Sequence, residues 1–141
     1  MLSRDLAETR LLGAIVFGQW SQPVLVGPEL FDNFTRRMIF KRIKAGDSIV
    51  RIIAFAGRRR ADVLHELLEA FYCWEVYGSR FAGKDLANIC RVVDRVSLIH
   101  DLNHLAQHPP ADLHDILLRT ARLVATGERR CRLYDRIGDT A

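Results

Sequence analysis

The sequence predicts an all-α protein: a compact bundle of about five helices followed by a C-terminal αα-hairpin. Three observations predict it. Apolar residues recur near a 3.6-residue period along most of the chain. The segments that could pass for strands, SIVRIIAFA and FYCWEVY, have no neighbouring segment with which to pair. Pro109-Pro110 breaks the last long helical stretch in two, which leaves a pair of consecutive helices joined by a tight bend.

Element by element, Leu6, Leu11, Leu12, Ile15 and Val16 form the stripe of a first helix, with Ser3 as N-cap and Gly18 as its stop. A short second helix starts at Ser21, carries Pro23 in its first turn, where the missing N–H costs nothing, and ends before Gly27-Pro28. Asn33 or Thr35 caps a third helix through Met38, Ile39, Phe40 and Ile43, closed by Gly46. Asp47 caps a fourth, SIVRIIAFA, which is read as a buried helix ending at Gly57.

The fifth helix covers about 61–75 and carries Val63, Leu64, Leu67, Leu68, Phe71 and Tyr72; the sixth covers about 84–107. Ile89, Val93 and Val96 make one stripe on the sixth, and Leu98, Leu102 and Leu105 make another. That is wider than a helix resting on one core requires. After the prolines, ADLHDILLRTARLVATG places Leu113, Ile116, Leu117, Thr120 and Val124 on one side. The surplus apolar surface of this pair suits packing against another chain, and equally a helix buried within its own bundle. The expected organisation is a globule over 1–83, a hairpin over 84–126 and a basic, frayed tail over 127–141.

At 141 residues the chain suffices for one domain that folds without disulfide or metal staples. No apolar run approaches the ~18 residues needed to span a bilayer, and the N-terminus lacks a signal-peptide core. A cytoplasmic protein with no membrane association is therefore expected. Cys73, Cys90 and Cys131 are widely spaced and odd in number, which points to incidental or buried thiols. The net charge of +4 is modest, but arginines cluster at Arg58, Arg59, Arg60 and at Arg129, Arg130, Arg132, as contacts for nucleic acid or an acidic partner would.

Two segments come near to motifs with chemistry. GSRFAGKD, from Gly78 to Asp85, is one residue from the phosphate loop G-x-x-x-x-G-K-[ST]. Asp85 stands where the metal-binding hydroxyl belongs, however, and would repel a triphosphate. The sequence also supplies no parallel sheet to carry such a loop. In HDLNH, followed by His108, the residues His100, His104 and His108 share a helix face with the i, i+4 spacing of zinc proteases, but Asp101 replaces the longer general-base glutamate. Histidines near a helix C-terminus also suit its dipole. No nucleophile motif or paired-carboxylate constellation is present, so the expectation is a protein without catalytic residues, cofactor or metal.

A set of segments in order resembles a known family. Glu8 followed by Leu11, Leu12, Gly13, Ala14, Ile15 and Val16 is similar to the opening helix of the N-terminal domain of DnaB-type replicative helicases, which reads like E-Q-x-V-L-G-x-x-L. Phe31 and then Arg36-Arg37-Met38-Ile39-Phe40 resembles that domain's F-x-x-x-x-H-R-x-I-F helix, with arginine at 36 in place of the usual histidine. Leu86-Ala87-Asn88-Ile89-Cys90-Arg91, with Arg95 beyond, looks like the Y-A-x-I-V-R stretch that begins the family's linker hairpin. The family's Gly-Gly loop before its fifth helix is absent, and no ATPase domain follows the hairpin within this sequence.

The resemblance covers about Asp5 to Val124 and implies an assembly collar. In it hairpins pair between subunits, and the collar engages a helicase, primase or loader. The residues expected to carry self-association are Ile89, Val93, Leu98, Leu102, Leu113 and Leu117. The implied function is a non-enzymatic interaction and oligomerisation module of DNA replication. The alternative is a small basic helical nucleic-acid-binding protein of plasmid or phage type, acting on DNA through the two arginine clusters.

Overall fold

The computed structural model describes residues 3–18, 27–78, 80 and 82–139. Its described residues form six α-helices and one 3-10 turn, with no strand. Local capping chemistry sets most of the starts. The Leu6 N–H donates to the Ser3 hydroxyl (3.1 Å), opening α1, Arg4–Val16. Pro28–Leu30 is the 3-10 turn. The Arg36 N–H donates to the Asn33 side-chain oxygen (3.0 Å), opening α2, Phe34–Lys44. α3, Ile49–Ala56, and α4, Ala61–Tyr77, end at Gly57 and Gly78, whose positive φ angles of 50° and 69° a residue with a Cβ rarely adopts. α5 is Ala82–Gln107 and α6 is Leu113–Asp139.

α1 is the centre of the molecule. Ala7, Leu11, Leu12, Ala14 and Ile15 are all buried, because α1 packs against α4 on one side and α5 on another. Gly13 makes that packing close: a Cβ there would collide with the Ala70 carbonyl of α4. Leu30, Phe31, Ile39, Phe40, Ile52, Val63 and Leu67 complete the core, with the Phe31 and Phe40 rings 5.4 Å apart.

The structure corrects three expectations. α3 is capped by Ser48, whose hydroxyl accepts from the Arg51 N–H (3.2 Å), and not by Asp47, which instead pairs with Arg42 (3.3 Å). α3 is helical but not buried. Only Ile52 and Ala56 face the core, and Val50, Ile53 and Phe55 are exposed, because an eight-residue helix on the bundle's edge has one covered side. FYCWEVY is the last turns of α4.

The largest correction concerns the C-terminus. Where a frayed basic tail was expected from Glu128, α6 continues to Asp139 and brings Tyr134 and Ile137 back into the core. Two apolar residues three apart fall on one helix face, and burying them offsets the entropy of ordering the last turns. The short helix expected from Ser21 and ending before Gly27 lies outside the described residues. Gly27 itself precedes the 3-10 turn.

Candidate functional site

α5 and α6 run antiparallel, and their pairing changes character along its length. At the base, near the bundle, polar groups lock the two helices together. Arg91 pairs with Asp135 (2.7 Å) and Arg130 with Asp94 (2.8 Å), while the Tyr134 hydroxyl donates to the other Asp94 oxygen (2.5 Å). Burial first, and then donation to Asp94, holds the Tyr134 phenol well above its ordinary pKa. Burial likewise pushes the neighbouring Cys90 thiol up to about 11, so it is an inert core group and not a reactive thiolate.

Away from the base no other described element packs extensively against the same two helices. α6 packs on α5, and apolar side chains on both remain in solvent: Leu113 is 68% exposed, Leu117 60%, Val96 62% and Ile99 54%. The six residues expected to carry self-association divide along this gradient. Ile89 is half-buried and packs against the core, and Leu98 is half-buried opposite Gly127. Val93 and Leu102 are exposed at the margin of the pair, and Leu113 and Leu117 lie fully in the open. Val92, Ile99 and Leu118 are further exposed apolar residues on the same helices. Sequence periodicity did not single them out, since it marks stripes without saying which stripe is covered.

The arginine clusters also divide. Arg60 is held by Asp62 (2.9 Å) and Arg130 by Asp94 (2.8 Å), so neither charge is free for a partner. The Arg60 guanidinium, together with the Thr35 hydroxyl, holds the Asp62 carboxyl far below the usual carboxylate range. Arg58 and Arg59 are exposed in the α3–α4 turn, and Arg129 and Arg132 are exposed on α6.

The near-match to a phosphate loop is occupied by packing. Asp85 binds Arg10 (2.5 Å), and a Cβ on Gly83 would meet Ile137 Cγ2 at 2.9 Å, so the C-terminal turn of α6 closes over the start of α5. His100, His104 and His108 lie exposed along α5, with the His104 and His108 rings 5.0 Å apart. Among the described residues no three His, Cys, Asp or Glu side chains converge as metal ligands.

One polar constellation escaped sequence reasoning. Glu8, 2% exposed, accepts from Arg4 (3.1 Å) and Arg36 (3.5 Å), and Arg36 also reaches Asp5 (2.6 Å) and Glu66 (2.9 Å). Burial alone would lower the Arg36 pKa, but its hydrogen bonds to Asp5 and Glu66 raise it overall. The cluster ties α1, α2 and α4 together through charges that pair with one another. No family model, curated protein or solved structure matches the chain. No helix among the described residues is long and apolar enough to cross a membrane.

Proposed function

We propose that the protein is a non-enzymatic interaction and oligomerisation module of DNA replication. It comprises a helical globule and the α5–α6 pair, and it self-associates through the outer half of that pair. The replication setting, with a replicative helicase, primase or loader as partner, rests on the ordered resemblance of the Glu8, Arg36 and Leu86 segments to the helicase collar. The self-association rests on a separate observation.

That observation is the row of exposed apolar side chains on α5 and α6, above all Leu113, Leu117, Val96 and Ile99. Covering each such exposed side chain contributes about 2 kcal/mol, which favours a partner that seats on several of them. A second copy presenting the same surface would satisfy both chains at once.

Light scattering tests it. Leu113→Asp with Leu117→Asp lowers the mass toward one chain while the helical circular dichroism signal is kept. A wild-type chain that is monomeric throughout the concentration range would sink the reading. Affinity capture by the purified host helicase, primase and loader tests the partner, and capture by none of them removes the replication setting.

A further inference from the structure

Arg129, Arg132 and Arg136 follow one another on α6 at spacings of three and four residues, so their guanidinium groups share a face. With Arg130 they line a cavity of about 590 Å³ whose opposite wall is Glu29 of the 3-10 turn. Four arginines thus face one carboxylate. Among the described side chains only Arg130 has an acidic partner, Asp94. Arg129 has no closer polar contact than the Thr126 hydroxyl at 3.5 Å, and Arg132 and Arg136 make no ion pair among the described side chains.

Uncompensated like charges gathered in one cleft repel one another, and a polyanion relieves that repulsion. The three free guanidinium groups extend over about 10 Å of helix at 1.5 Å per residue. A single phosphate meets only one end of such a row, whereas consecutive phosphates of a strand, about 3.4 Å apart along a duplex axis, follow its whole length. Among the described residues the remaining lining is Thr126 and Leu133, with no aromatic side chain to stack a base and no amide to read a base edge. We infer that this cleft binds the phosphodiester backbone of a nucleic acid without regard to its sequence. The assignment is separable from self-association through Leu113 and Leu117, which lie at the other end of α6.

The test is fluorescence anisotropy of the full chain with a labelled single-stranded oligonucleotide. Three phosphate contacts predict a log–log salt slope near about −2, a roughly 20-fold loss of affinity between 50 and 200 mM salt. Replacing Arg129, Arg132 and Arg136 together by Ser removes that slope, and Arg132→Ser alone reduces it by about 0.7, which keeps the test decisive if the triple variant folds poorly. Glu29→Gln, which deletes the repelling carboxylate, tightens binding. Two oligonucleotides of different sequence bind alike.

Salt-independent binding, no binding at low salt, or affinity unchanged in the arginine variants overturns the inference. So does loss of binding on replacing Arg58 and Arg59 instead, which would move the contact to the α3–α4 turn. Displacement of the oligonucleotide by inorganic phosphate at equal phosphate concentration would make the cleft a site for the free ion.

Discussion

The two ends of the α5–α6 pair are made of the same helices and behave as different materials. At the base, Leu86, Ala87, Cys90, Tyr134 and Ile137 are buried, and Asp94, Arg130, Arg91 and Asp135 fasten the pair from outside. Toward the bend at Pro109-Pro110, side chains of the same apolar character stand in water. The difference lies in what faces them. α1 packs against α5 at the base, and among the described residues no further element packs extensively on either helix. Buried contacts therefore gather at one end of the hairpin and uncovered apolar surface at the other.

The comparison breaks most readily at Ile137. Replacing it by Ala opens a cavity against Gly83 and is expected to cost about 3–4 kcal/mol, read as a lower urea midpoint. Removing the residues from Glu128 onward deletes Tyr134 as well and is expected to abolish cooperative unfolding. A chain that stays cooperatively folded without them would mean that the last turns of α6 are an appendage after all. Next comes Arg36→Ala. It strips Glu8, Asp5 and Glu66 of a shared partner, and since Arg4 still faces Glu8 the expected loss is about 3 kcal/mol, at the low end for a broken buried pair. A stability unchanged by this substitution would show that water or Arg4 already compensates Glu8.

Much of the bundle was legible because caps and stops are local chemistry. Ser3, Asn33, Gly46 and Gly57 act within three or four residues of where they stand, and the sequence shows them directly. What escaped depends on distant residues. Glu8 and Arg36 lie 28 residues apart, and neither carries a mark of burial. SIVRIIAFA is apolar enough for a core, but burial needs a covering neighbour, and α3 has one on a single side. In RRCRLYDRIGD the charges mask Tyr134 and Ile137, though their spacing of three, with Leu133 beside them, was the available signal. The candidate surface was half legible for the same reason. Periodicity picked out Leu113 and Leu117, which are exposed, together with Ile89 and Leu98, which the protomer partly covers.

A milder probe of the base uses pH. Cys90 and Tyr134 are acids whose protonated forms are favoured in the fold, so the unfolded chain gives up its protons first. Their contribution is fully present below about pH 9, declines as pH rises from 9.0 toward about 11 through Cys90, and is lost further above 10.0 through Tyr134. Thermal melts from pH 8 to 11 should show this alkaline loss. Tyr134→Phe should cost about 1 kcal/mol at neutral pH, since Asp94 keeps Arg130, and should flatten the upper part of the profile. A profile identical to wild type would remove Tyr134 as its source.

The smallest expected effect is also the most discriminating one. Val96→Ser and Ile99→Ser change side chains that are mostly solvated in the single chain, so each is expected to leave the stability of a dilute sample within about 0.5 kcal/mol of wild type. The same substitutions at Leu86 or Ile137 would be costly, although the helices are the same. If Val96 and Ile99 are instead covered by a second copy, the two variants will diverge from wild type as concentration rises, because association stabilises only the chain that can associate. A concentration-independent melting temperature for the wild type, matched by both variants, would mean that the outer hairpin carries neither the fold nor a self-interface.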